Sequence, residues 1–170
     1  MDIVTEFISK ISIEPLTKLA VFLDHWYNSY ILFFLMTLAI IPFFNDKRKV
    51  IVLAVALFLV TVVFLATKNL TNVERPCVQL PAKVECPNEP AFPSGHTSGA
   101  FVFIAASIGE AFFIVYFILG IFVAFSRIYV GVHWFNDIAG GMVVGVVCYV
   151  VADRLFDVSI RLYERHLKKV

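Results

Sequence analysis

The chain has 170 residues, 60% of them hydrophobic and 16% charged, with a formal net charge of +1 and a mean hydropathy of +0.86. Soluble domains are about 45–50% apolar and about 25% charged, so this composition argues against a soluble globular domain. The balanced charge argues against an electrostatic nucleic-acid binder, which concentrates basic residues on one face.

The length suits one domain. The opening Met1-Asp2-Ile3 lacks the positive region of a signal peptide, and no cleavage site follows an apolar run, so no signal peptide is expected. In residues 1–25, Asp2, Glu6, Lys10, Glu14 and Lys18 recur every fourth position, along one helix face, with Ile3, Phe7, Ile8 and Ile11 on the other. Glu6→Lys10 and Glu14→Lys18 have the favourable i,i+4 order, and Pro15 kinks or divides the segment. The pattern predicts an amphipathic helix lying in a membrane interface.

Crossing a bilayer takes about 20 apolar residues. Residues 26–44 and 50–67 meet that length. Residues 94–108 and 111–125 form a shorter hairpin turning at Gly109-Glu110, and 135–151 form a last run. The expected fold is all-α, a polytopic transmembrane helix bundle of about five spans plus the N-terminal interfacial helix. A sixth span results if that segment crosses. Residues 26–155 are the expected transmembrane catalytic core, and 156–170 a cytoplasmic amphipathic tail.

Lys47, Arg48 and Lys49 join the first two spans, and Arg154, Arg161, Arg165, Lys168 and Lys169 follow the last. The excess of basic residues marks the cytoplasmic side. With five spans, loops 68–93 and 126–134 then share the outer side, where Trp26, Tyr27, Tyr129 and Trp134 are expected as an aromatic belt. Gly141-x3-Gly145, with Gly140, suits close helix packing. Cys148 lies in an apolar run and is expected in the core. Cys77 and Cys86 flank a Pro-rich loop; they are either a disulfide, if the loop faces an oxidising compartment, or two thiols. No Cys/His spacing suggests a zinc site.

Three fragments carry chemistry at span ends, where ionisable residues need a functional reason. Lys68 and Arg75 are two helical turns apart and both project from one face if the helix continues that far. They offer a point charge and a planar fork to phosphate oxygens. Pro93-Ser94-Gly95-His96 opens an apolar helix, whose first N–H groups make an anion cradle. Ser94 adds a hydroxyl, and Gly95 lets a ligand approach the backbone. In Ser126-Arg127-x5-His133-x3-Asp137, Arg127 is expected just after a helix. Asp137, one turn beyond His133, accepts an imidazole proton if a helix begins at His133, leaving the other nitrogen as nucleophile or base. Taken singly, the fragments have bland readings: snorkelling cations, a helix cap and a structural Asp–His bond. Their convergence has none.

In these residues the chain resembles the type 2 phosphatidic acid phosphatase superfamily, whose signatures K-x6-R-P, P-S-G-H and S-R-x5-H-x3-D all stand intact and in order between 68 and 137. The resemblance implies a metal-independent lipid phosphatase without cofactor. It implies His133 as the nucleophile that forms a phosphohistidine, Asp137 as its orienting group and His96 as general acid. It implies Lys68, Arg75, Ser94, Gly95 and Arg127 as phosphate ligands. The implied partner is a lipid phosphate or diphosphate in the membrane, with no nucleic acid. The implied setting is a prokaryotic inner or cytoplasmic membrane, with the site facing the periplasm or exterior. The substrate classes left open are isoprenyl diphosphates, phosphatidylglycerophosphate or phosphatidate, and a lipid A phosphate. A non-catalytic headgroup-binding membrane protein or transport component is the alternative.

Overall fold

Long apolar runs leave the backbone's polar groups little to bond except one another, and the chain meets that need with helices. The computed structural model describes residues 2–44 and 46–168. Its helices are α1 (Ile3–Lys10), α2 (Glu14–Asp24), α3 (Trp26–Ile40), α4 (Arg48–Thr71), α5 (Gly95–Ser107), α6 (Phe113–Tyr129) and α7 (Phe135–Leu167). Among the described residues there is no strand. The side chains of Trp26 and Tyr27, expected in the aromatic belt, lie outside the described residues, as does Lys169.

The N-terminal segment is two helices rather than one. Ile11 and Ile13 are extended between them, and Pro15 sits in the first turn of α2, where its missing N–H removes no helical bond. The expected ion pairs form, Glu6–Lys10 at 2.6 Å and Glu14–Lys18 at 2.7 Å, but on separate helices, so the charged face is broken. Both helices lean on α6. The Tyr129 hydroxyl accepts the Ile13 N–H at 2.9 Å and bonds the Thr17 hydroxyl at 2.7 Å. Ala20, Tyr129, Val130 and Val132 form a small core there, flanked by Ile8 and Ile11. Tyr129 is therefore fully buried, not part of an outer belt. Ile3, Phe7 and Phe22 point outward.

Helices α4 to α7 alternate in direction and make the bundle, with α5 against α7, α4 against α7 and α5 against α6 as the largest interfaces. Small residues set the closest contact. A Cβ on Gly141 would stand 2.8 Å from the Ser94 carbonyl oxygen, and one on Gly145 would collide with that of Ser98. The first turn of α5 is thus pressed against the second and third turns of α7. Cys148 is buried in the main core with Val52, Ala56 and Phe103. The α5–α6 hairpin turns at Gly109, whose φ of 81° costs glycine little.

Several helix ends differ from the sequence expectation. α4 stops at Thr71, and Asn72 is left-handed, so Lys68 and Arg75 do not share a helix face. α6 continues to Tyr129, which places Ser126 and Arg127 in its last turn instead of after it. α7 begins at Phe135, not at His133, and runs unbroken to Leu167, so no break separates the expected core and tail at 155–156. Arg48–Lys68 and α7 are long and apolar enough to cross a membrane, while α6 is shorter. α3 and α5 have 15 and 13 residues.

Candidate active site

The alternation of α4 to α7 puts the end of α4, the start of α5, the end of α6 and the start of α7 at one end of the bundle. The three sequence fragments meet there and are tied by hydrogen bonds. Arg75 Nη1 donates to the Val132 carbonyl at 2.9 Å, and the Ser94 N–H donates to the Asp137 carbonyl at 3.1 Å.

Arg75 reaches the site from irregular chain beyond α4. Its Nε donates to the Glu89 carbonyl at 2.8 Å, and Lys68 Nζ donates to the Pro90 carbonyl. Backbone oxygens of one loop therefore hold both cations. The Glu89 carboxylate then covers them: its Oε1 lies 3.3 Å from Lys68 Nζ and 3.1 Å from Arg75 Nη2. Lys68 also stands over the Phe64 ring, 4.8 Å from its centroid. The third cation, Arg127, is 1% exposed. It donates from Nε to Ser126 Oγ at 3.2 Å and from Nη1 to Asp24 Oδ1 at 2.7 Å.

Ser94 caps α5. Its side-chain oxygen accepts from the Thr97 N–H at 3.4 Å and from the Thr97 hydroxyl at 3.0 Å, which leaves its own O–H to donate. A Cβ on Gly95 would meet the Phe64 ring at 2.8 Å, so glycine lets the start of α5 approach α4. His96 stands in the first turn of α5, within electrostatic reach of Arg127, His133, Arg75 and Lys68.

His133 sits in the loop before α7 and is 4% exposed. Its Nε2 is 3.3 Å from Arg75 Nη1. A guanidinium only donates, so Nε2 presents its lone pair and the imidazole proton lies on Nδ1. Nδ1 faces Asp137 Oδ2 at 3.5 Å, beyond hydrogen-bond length, and has no other partner among the described residues. That same Oδ2 accepts the Trp134 N–H at 2.7 Å, so Asp137 serves first as the cap of α7. Burial, followed by the charges of Arg75, Arg127 and Lys68, holds the His133 imidazole well below its ordinary pKa. That direction favours the neutral imidazole.

All eight expected site residues are at this end of the bundle. The sequence reading missed two more, Glu89 and Asp24. The available signal was charge balance: three deeply placed cations need anions within reach, and acidic residues on flanking segments were the candidates. Cys77 and Cys86 are joined, with Cα atoms 5.6 Å apart, and close the start of the loop that carries Glu89. Among the described residues, no three His, Cys, Asp or Glu side chains gather to hold a metal ion.

Known proteins resemble this chain in sequence and in fold. An undecaprenyl-diphosphatase of Sulfolobus acidocaldarius is 28% identical over 144 residues, covering 78% of this chain and 67% of the relative. Among solved structures, Aquifex aeolicus LpxE superimposes with a TM-score of 0.72 at 24% identity, over 89% of this chain and 93% of that one. A PAP2-type phosphatidylglycerolphosphate phosphatase from Bacillus subtilis gives 0.70 at 16% identity, over 91% and 83%. At those identities the two structures show a common fold. The sequence model of the PAP2 superfamily matches residues 49–161, which include every one of the three fragments. The chain belongs to the PAP2 superfamily.

Proposed function

We propose that this protein is an integral-membrane lipid phosphatase that removes a terminal phosphate from a lipid phosphate or diphosphate through a phosphohistidine. The observation that carries the reading is the placement of His133: a buried imidazole whose Nε2 faces Arg75, with Asp137 on its Nδ1 side. The phosphoryl group enters between Nε2 and the cations, where Lys68, Arg75 and Arg127 neutralise its oxygens and Ser94 and the start of α5 donate hydrogen bonds. Nε2 attacks phosphorus and the P–O bond to the leaving group breaks. His96, which the bound phosphoryl anion favours as imidazolium, gives that oxygen a proton and becomes neutral. Asp137 stabilises the charge that develops on the His133 ring. Water then attacks the phosphohistidine, His96 takes its proton, and orthophosphate leaves.

The same geometry supports a membrane placement. Arg48 and Lys49 stand about 30 Å along α4 from Lys68, at 1.5 Å rise per residue, which matches the hydrocarbon thickness of a bilayer. Basic residues at the remote end support an orientation with that end in the cytoplasm and the site on the extracytoplasmic face; a prokaryotic inner or cytoplasmic membrane is the setting this reading takes. The lipid tail stays among the outward-facing apolar side chains. The name of the archaeal relative makes an isoprenyl diphosphate the first substrate to test, followed by phosphatidylglycerophosphate, phosphatidate and lipid A phosphate.

The test is phosphate release from this lipid panel by purified protein in excess EDTA. Turnover is expected to persist, and His133→Ala is expected to lower it at least about 1,000-fold. Full activity in His133→Ala removes the nucleophile. Absence of turnover on every lipid favours the alternative of a headgroup-binding protein.

A further inference from the structure

The cradle formed by Lys68 and Arg75 already holds an anion, and the chain itself supplies it. One oxygen of Glu89 bridges both cations. The cations have side-chain exposures of 6% and 4%, while the carboxylate retains 54%. It therefore covers them from the solvent side. Glu89 also belongs to the loop whose Glu89 and Pro90 carbonyls hold Arg75 and Lys68. Two tasks are thus divided within adjacent residues: backbone oxygens position the cations, and a side-chain carboxylate occupies the face they present.

We propose that Glu89 is a specificity-determining residue, an internal carboxylate that any anionic ligand must displace from the Lys68–Arg75 cradle. This rests on the reading of that cradle as the phosphoryl site. Displacement costs little on the protein side, because an exposed carboxylate swings into water and recovers its hydration, while the cations keep their carbonyl partners. Every anion bears the same displacement cost. A terminal phosphate with two negative charges recovers it through two cations. A singly charged phosphodiester, the headgroup linkage of bulk phospholipid, gains less Coulomb energy from the same cations. The carboxylate thereby keeps the cradle clear of weak anions, and it speeds departure of orthophosphate.

The test measures orthophosphate binding to the full-length protein in detergent by titration calorimetry, for the wild type, Glu89→Gln and Glu89→Ala. Both variants are expected to bind roughly fivefold more tightly, the scale of one partly exposed ion pair. A parallel arm measures KM for phosphatidate in mixed micelles. A fall in KM together with tighter orthophosphate assigns the competition to lipid headgroup and free phosphate alike. Tighter orthophosphate with unchanged KM assigns it to free phosphate. Unchanged or weaker orthophosphate binding in both variants, or no binding by any form, overturns the proposal. The lipid phosphatase reading fails separately: a wild type that releases no phosphate from any lipid removes it, and the calorimetric arm still reports on Glu89.

Discussion

At the end of the bundle remote from the site, Arg48 meets Asp153 at 2.7 Å and Asp157 at 2.9 Å, and Lys49 meets Glu110 at 2.7 Å. These cations keep 32% and 24% side-chain exposure, and their carboxylates belong to α7 and the α5–α6 turn, which α4 packs beside. At the site end, Lys68, Arg75 and Arg127 are 1–6% exposed. Their partners Glu89 and Asp24 come from a loop and from the N-terminal segment. The remote pairs clamp neighbouring helices. Lys68 and Arg75 are held by backbone oxygens of the loop and Arg127 by the Ser126 hydroxyl of α6, and the anions opposing them are the more exposed members. Burying cations this deeply is costly unless opposing charge is supplied. An arrangement in which that charge is held on movable or peripheral carboxylates leaves the cations ready for an outside anion.

The sharpest way to break this contrast is to remove a site cation. Arg75→Ala is expected to lower kcat/KM at least about 100-fold, the usual scale for one donor to a developing oxyanion. Phosphate release from the preferred lipid checks it, and activity within about twofold of wild type would place Arg75 among merely structural cations, like Arg48.

The next effect concerns pH. Burial and three cations depress the His133 pKa, so its neutral, reactive form persists below the ordinary value of 6.5. The acid limb of kcat/KM that belongs to His133 is expected below pH 6.5. Removing one cation in Lys68→Met relieves the repulsion, favours the imidazolium, and is expected to move that limb upward by up to about one pH unit. A downward movement contradicts the electrostatic account.

The smallest contrast compares stability at the two ends. Asp24→Asn removes the charge opposing Arg127, a nearly inaccessible guanidinium, and is expected to destabilise the protein by about 2–3 kcal/mol. Arg48→Gln removes two partly exposed ion pairs at the remote end, and a smaller fall in melting temperature than in Asp24→Asn is expected. Thermal melts of both variants in the same detergent check this, and equal losses would erase the distinction between the ends.

The N-terminal segment illustrates how a local pattern differs from its tertiary use. Its charge spacing led to the two i,i+4 pairs seen in α1 and α2. Nothing in that spacing signals that Asp2 Oδ2 accepts the Phe135 N–H at 2.9 Å beside the site. Nor does it signal that Tyr129 is covered by α2. These contacts join residues more than a hundred positions apart, and a helical period carries information only across a few turns.

From sequence alone, hydropathy determined a helical membrane chain, and three ordered fragments determined the family signature and the residues gathered at the site. Alternating helix direction was enough to bring those fragments to one end, because each lies where an apolar run stops. Only the tertiary structure decided that Arg75 reaches the site from irregular chain and that Asp137 is held by the Trp134 N–H. It alone decided that Glu89 and Asp24 oppose the cations. Hydrophobic periodicity is a property of neighbours in sequence. Charge compensation in a buried site depends on distance in space, and Asp24 lies 103 positions from the arginine it meets.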